Sequence, residues 1–229
     1  MTNRFITPVL LVAGALLAGC VSTESETVST TTVRPNFLVA PSTETFPVAA
    51  VDLSKIEPVY HRQIVSDPTG ERTGTIVIDV DKKFLYLVLE NGKALRYGIG
   101  VGRQGFSWSG EALIQRKAKW PTWTPPLTMQ QRQPETAKWA DGMPGGPDNP
   151  LGARALYLYQ NGRDTLYRIH GTAEVSSIGN AVSSGCIRLL SADVIDLYQR
   201  IPVGTRVVVI PSKNSPYTKH THDDGSVSA

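Results

Sequence analysis

The sequence predicts a mainly β domain, set between two polar segments with little periodicity. Three observations carry this. Short apolar runs of strand length recur between tight turn residues from Thr73 onward. One segment alone, after Leu190, shows a clear helical stripe. The two ends of the chain are rich in Ser, Thr, Val and Pro or are simply polar. Residues 56–211 therefore read as one domain, large enough to bury a proper core.

The elements follow in order. Thr73 to Val80 is strand-like, and Asp81, Lys82 and Lys83 make a polar turn. Phe84 to Leu89 is a second strand, and Glu90-Asn91-Gly92-Lys93 is a strong hairpin turn. Ala94 to Val101 is the third strand. Three short strands joined by tight turns argue for a meander and against a doubly wound sheet. Glu111 to Arg116 is a weaker fourth strand. Residues 117–153 then change character. Trp120-Pro121-Thr122-Trp123-Thr124-Pro125-Pro126 cannot be a central strand or a helix interior. Gly142 to Pro150 is loop as well, with a short helix expected within Gln130 to Asp141. A long excursion in a compact domain is usually functional. Trp120 and Trp123 either line a groove there or pin the excursion to the body. Arg154 to Gln160 and Thr165 to Ile169 form a hairpin around Asn161-Gly162-Arg163-Asp164, with His170 at the end of its second strand. Ser191 reads as a helix N-cap with Asp193 in the first turn, and Leu190 with Ile195 reads as a hydrophobic staple. Val194, Leu197, Tyr198 and Ile201 form the apolar stripe, Pro202 and Gly204 end the helix, and Thr205 to Ile210 is the closing strand.

The N-terminus reads as an export signal. Arg4 precedes an apolar run from Phe5 to Ala18, too short to be a good membrane span. The run closes on Leu17-Ala18-Gly19-Cys20, which resembles the lipobox of bacterial lipoproteins. On that reading residues 1–19 are removed and Cys20 carries the lipid; ordinary cleavage near Ala18 is the alternative. A disulfide between Cys20 and Cys186 is a further one. The absence of Asp after Cys20 resembles an outer-membrane sorting signal. Residues 20–55 then form a flexible tether from membrane to domain. Residues 212–229 form a polar, disordered tail, whose His220 and His222 beside Asp223 and Asp224 are a weak basis for a metal site. The formal net charge is +3, with Lys and Arg scattered. No basic stripe interleaved with aromatics appears, which argues against nucleic acid as a partner.

If Cys20 is lipidated, Cys186 is the one thiol left in an oxidising compartment. It lies sixteen residues after His170. A thiol at its ordinary pKa of about 8.5 is mostly protonated near neutrality, and an imidazole within reach can take the proton or pair with the thiolate. Both residues border glycines. The N–H groups of Gly185 and Cys186 are candidates for an oxyanion hole, and the Gly171 carbonyl is a candidate to orient the His170 ring. Arg188 follows on the same face as a candidate to grip a carboxylate. One Cys and one His within the domain fall short of a tetrahedral zinc set. From spacing alone, a surface histidine and a buried small cysteine remain an open alternative.

His170-Gly171-Thr172, Ser177-Ile178-Gly179 and Ser183-Ser184-Gly185-Cys186-Ile187-Arg188-Leu189 together resemble the signature of bacterial L,D-transpeptidases of the YkuD/ErfK type. The resemblance extends to Gly100-Val101-Gly102, to the segment ending in Pro125-Pro126, and to Gly146 through Gly152, covering roughly residues 73–210. It implies a β-sandwich of mixed sheets with short peripheral helices. It implies Cys186 as nucleophile and His170 as general base, oriented by Gly171. It places Arg188 in the active-site loop and needs no cofactor; Arg188, Ser184 and Trp123 are the candidate substrate-binding residues. Ser184 stands where many relatives have His or Lys, and Gly102 to Gly110 replaces a Thr-Pro-x-Gly turn.

The reaction implied is acyl transfer on peptidoglycan stem peptides. Cys186 attacks the meso-diaminopimelate–D-Ala bond of a tetrapeptide stem, and an amine accepts the acyl group to form a 3-3 cross-link. Alternatives are attachment of an outer-membrane protein through its lysine, and carboxypeptidase or exchange activity. A lipid-anchored wall-binding protein with an incidental cysteine is the non-enzymatic alternative.

Overall fold

The structure is a computed structural model and describes residues 37–41, 43–102, 109–183 and 186–212. Its strands are β1 (Phe37–Leu38), β2 (Val51–Asp52), β3 (Gln63–Ser66), β4 (Ile76–Asp79), β5 (Phe84–Val88), β6 (Lys93–Gly98), β7 (Val101–Gly102) and β8 (Gly110–Lys119). Helix α1 (Leu127–Arg132) follows, then β9 (Arg154–Gln160), β10 (Arg163–Thr172), β11 (Ala181–Ser183), β12 (Ile187–Leu190), α2 (Ser191–Arg200) and β13 (Arg206–Ile210).

Nine strands form one continuous mixed sheet in the order β12-β10-β9-β8-β13-β4-β5-β6-β3. The pairs β10·β12 and β13·β4 are parallel and the rest antiparallel. The mixed β architecture with short helices is the expected class. Its layers arise from one sheet that curls back on itself. Gly100, just past β6 near one edge, exchanges both backbone hydrogen bonds with Arg188 of β12 at the other edge, each at 2.9 Å. The two wings therefore close over a shared core that includes Ile78, Leu85, Tyr97, Ile114, Leu158, Ile169, Ile187 and Val207.

Local chemistry explains the elements. Asn91-Gly92 and Asn161-Gly162 all take positive φ, the conformation of tight hairpin turns. On α2, Val194 and Leu197 enter the core, followed by Ile201 at the C-cap, and Tyr198 packs on it. Ser191 does not cap this helix. Leu190 holds the cap position, and the Ser191 hydroxyl donates to the Thr172 carbonyl at 3.1 Å, tying the helix start to β10. The expected helix within the excursion is two short pieces, α1 and a 3-10 turn over Pro134–Trp139, because Pro134 cannot continue a helix.

The largest departure from expectation is the segment before residue 56. Residues 37–41 and 43–55, read as tether from composition, pack on the domain as a strap. β1 pairs with β2, and Leu38, Val51 and Leu53 join Ile56, Ile178 and Leu190 in a second apolar cluster. Farther along, Glu44 forms an ion pair with Arg154 and accepts from Trp120 Nε1 at 3.1 Å. Phe46 meets the same indole edge-on, with centroids 5.0 Å apart. Among the described residues, the packed unit therefore includes the strap from residue 37 onward.

Candidate active site

β10 and β12 build the site. Their parallel register sets Ile169 against Ile187 and His170 against Arg188. Side chains alternate across a sheet. Ile169 and Ile187 enter the core, so His170 and Arg188 share the opposite face. Cys186 immediately precedes β12, which sets it beside Arg168 and on the face of His170 and Arg188.

His170 is buried, and its Nδ1 donates to the Gly171 carbonyl at 2.8 Å. A carbonyl only accepts, so Nδ1 carries the proton and the neutral ring presents Nε2 as a free base. Burial depresses the His170 pKa to about 4. The Gly171 hydrogen bond works against that shift, and the Arg188 charge adds to it. Burial likewise pushes the Cys186 thiol up, opposed by a main-chain hydrogen bond from Arg168 and by the charges of Arg168 and Arg188. Burial thus favours the uncharged forms of both groups, thiol and neutral imidazole.

The Gly171 carbonyl is itself held in place. Gly171 N–H donates to Leu151 O at 3.1 Å. A Cβ on Gly152, at φ +62°, would lie 2.8 Å from the Gly171 carbonyl carbon, so no side chain fits there. Asn149 locks this turn. It is buried, its Oδ1 accepts from Leu151 N–H at 2.9 Å, and its amide nitrogen faces the carbonyls of Pro121, Met143 and Pro144 at 3.0–3.1 Å. One side chain thus couples the Trp/Pro excursion to the turn behind His170. Sequence reading took Asn149 only as a loop residue. The available signal was an amide, with both donor and acceptor, in a stretch of Gly and Pro where Asp148 is the one other polar side chain between Gly142 and Gly152.

Arg188 donates from Nη1 to Glu174 at 2.7 Å. The carboxylate it grips in this state is internal and half-exposed. Gly100 is required beside it, since a Cβ there would meet the Ser177 carbonyl at 2.5 Å. Trp120 is engaged by the strap and so pins the excursion. Trp123 exchanges backbone hydrogen bonds with Met143 at 2.9 and 2.7 Å, and its side chain is half-buried. Ser184, Gly185, Cys20, Arg103 to Trp108, His220 and His222 lie outside the described residues. Among the described residues there is no cluster of three or more His, Cys, Asp or Glu able to hold a metal.

The L,D-transpeptidase catalytic domain family, YkuD, matches residues 73–209. This chain belongs to that family. The probable L,D-transpeptidase ErfK/SrfK of Escherichia coli is 36% identical over 164 residues, covering 69% of this chain and 50% of that protein. The putative L,D-transpeptidase YqjB of Bacillus subtilis is 32% identical over 165 residues, covering 71% of this chain and 82% of its own length. The chain thus spans about half the length of the Escherichia coli relatives it matches. A crystal structure from Brucella melitensis, described as a probable carnitine operon oxidoreductase, is 48% identical. It covers 68% of this chain and 97% of its own, with a TM-score of 0.48. An L,D-transpeptidase from Mycobacterium smegmatis is 18% identical, covers 60% of this chain and 58% of its own, and has a TM-score of 0.42.

Proposed function

We propose that this protein is a peptidoglycan L,D-transpeptidase with Cys186 as its nucleophile. The observation that carries the reading is the His170 ring. It is fixed by the Gly171 carbonyl in the tautomer that leaves Nε2 basic, on the strand beside Cys186 and within the family match. Substrate binding brings a stem-peptide carbonyl to the sulfur. As the Sγ–C bond forms, the thiol proton passes to His170 Nε2. The oxyanion is received by the Gly185 and Cys186 N–H groups. Collapse breaks the amide bond after meso-diaminopimelate, and His170 returns the proton to the departing D-alanine amine. An acceptor amine then attacks the thioester, gives its proton to the imidazole, and releases the product and the thiol. A diaminopimelate acceptor makes a 3-3 cross-link. No cofactor takes part. Arg188 and Trp123, with Ser184, are assigned to hold the stem peptide.

Cys20 is assigned as a lipid-bearing residue that holds the domain on the periplasmic side of the outer membrane. Two or more acyl chains give firm anchoring. The Leu17-Ala18-Gly19-Cys20 run supports this reading. Palmitate labelling that persists in Cys20→Ala would overturn it.

The activity is tested by mass analysis of muropeptides after incubation of purified protein with tetrapeptide stems. Dimers linked through diaminopimelate are expected and should vanish in Cys186→Ser. Tripeptide monomers alone would assign carboxypeptidase activity instead. Unchanged substrate would favour a wall-binding protein.

A further inference from the structure

The hydrogen bonds behind His170 form one path, and it begins at a side chain that takes no part in the proposed reaction. Asn149 Oδ1 accepts from the Leu151 N–H at 2.9 Å. The Leu151 carbonyl accepts from the Gly171 N–H at 3.1 Å. The Gly171 carbonyl accepts from His170 Nδ1 at 2.8 Å. Gly152 adds a steric route beside this path. A Cβ on it would stand 2.8 and 2.9 Å from the Gly171 carbonyl carbon and oxygen. Asn149 sets Gly152 as well, since the Asn149 carbonyl accepts from the Gly152 N–H at 2.9 Å. The Cα of Gly171 is tight against α2, where a Cβ would meet Val194 at 3.0 Å and Ser191 Oγ at 3.4 Å. Gly171 is thus gripped between the Asn149 turn and the start of α2.

The donor end of Asn149 faces the excursion. Its amide nitrogen lies 3.0 Å from the Pro121 carbonyl, 3.1 Å from that of Met143 and 3.0 Å from that of Pro144. These carbonyls belong to two limbs of the excursion, which Trp123 and Met143 also join through their backbones. Turn chemistry alone would accept Asp or Ser here, since both make the same bond to the N–H two residues on. Neither can serve the carbonyls: a carboxylate has no N–H, and a hydroxyl has one hydrogen on a shorter stem. The amide therefore does what the turn does not require. Asn149 is 4% exposed, so a bond lost there is not replaced by bulk water.

We propose that Asn149 is a positioning residue for the general base: its acceptor end fixes the Gly171 carbonyl that orients His170, and its donor end ties that carbonyl to the excursion carrying Trp123. This rests on the reading of His170 as the base and of Trp123 as a substrate contact. The two ends have separable consequences. Loss of the acceptor end frees the turn under Gly171, so the imidazole loses its fixed tautomer and direction. Loss of the donor end alone leaves the imidazole in place and releases the limbs of the excursion, which weakens the hold on the stem peptide.

The test compares Asn149→Ala, which removes both ends, with Asn149→Ser, which keeps an acceptor for the Leu151 N–H. Both are made in the full chain. The first readout is the NMR signal of the His170 ring nitrogens, assigned by its loss in His170→Gln. The second is kcat and KM for tetrapeptide turnover. Wild type should show the Nδ1–H tautomer alone. Asn149→Ala should show mixed tautomers and lose kcat by roughly tenfold to a hundredfold. Asn149→Ser should keep the wild-type ring signal and most of kcat, with KM raised. A folded Asn149→Ala with wild-type ring signal and kcat would overturn the proposal whatever its melting point, since that marks a purely structural amide. So would a serine variant whose ring signal is as mixed as that of alanine. If the alanine variant does not fold, the serine variant decides alone: mixed tautomers or an unchanged KM would overturn the proposal. The ring signal is independent of muropeptide turnover, so failure of the transpeptidase reading would appear separately, as turnover retained in Cys186→Ser.

Discussion

Two arginine–carboxylate pairs in this molecule have the same chemistry and opposite settings. Arg154 and Glu44 join the strap to the start of β9, with side chains 3% and 9% exposed. Arg188 and Glu174 meet beside Cys186, at 22% and 54% exposed. Burial decides what each can do. Separating the first pair strands a charge in a dry setting, whereas water can replace either partner in the second. The strap pair is a staple. On the proposed reading, the site pair is the one that would exchange its internal carboxylate for one on a substrate.

The sharpest way to break this contrast is at the strap. Glu44→Gln should cost about 3–5 kcal/mol of unfolding free energy, because it leaves Arg154 buried without a counterion. Chemical denaturation midpoints would measure it. A loss under about 1 kcal/mol would mean that water already reaches the pair.

Next in size is a pH effect that contrasts the site with the face under α2. The His170 pKa falls to about 4 on folding, so neutral His170 contributes stability that is complete above about pH 6.5 and is lost as pH falls toward 4. The shift corresponds to roughly 3 kcal/mol. Asp193, 1% exposed on α2, runs the other way. Burial raises its pKa to about 7, despite Arg62 at 3.5 Å and with the Asp196 charge adding to the rise. Its contribution is complete below about pH 4 and is lost as pH rises through 7. The two slopes oppose each other in wild type. His170→Gln should therefore be less stable at pH 7 than at pH 4.5, and Asp193→Asn should show the reverse. Thermal melts across that window would show parallel curves if neither group titrates there.

Arg188→Lys should lower turnover at least tenfold, about 1.4 kcal/mol of barrier, by losing the planar fork. Its melting point should change little, since the pair is solvated. A large melting-point drop would instead make Arg188 a brace for the Gly100 bridge. The smallest effect expected is Glu174→Gln, within about 1 kcal/mol in stability.

The sequence made some of this legible and hid the rest for physical reasons. The strands from Ile76 to Gly98 and the hairpin from Arg154 to Thr172 were readable because apolar runs and Asn-Gly turns are local signals. The strap was not. Its hold depends on a few apolar side chains and on Glu44 and Phe46, whose partners lie about 75 to 110 positions away, within a stretch whose composition suits a linker. Ser191 looked like a cap because only the fold reveals the Thr172 carbonyl that takes its hydroxyl. His170, Gly171 and Arg188 were picked out by their motif. Asn149 was not, because only the fold brings the carbonyls of Pro121 and Met143 to its amide.

The place of β13 has a consequence for how the chain must be made. This last strand lies in the middle of the sheet, pairing Val207 with Ile76 on one side and with Ala112 on the other. The first of these pairings spans more than half the chain and the second about two fifths, a topology that folds slowly. In the middle of the sheet, β8 and β4 have no strand between them until β13 is available. During synthesis, the emerging polypeptide stays without its central strand until residues 206–210 have been made. A chain terminated before Arg206 should collapse without closing its sheet. The order of assembly thus delays completion of the fold until β13 has been synthesised.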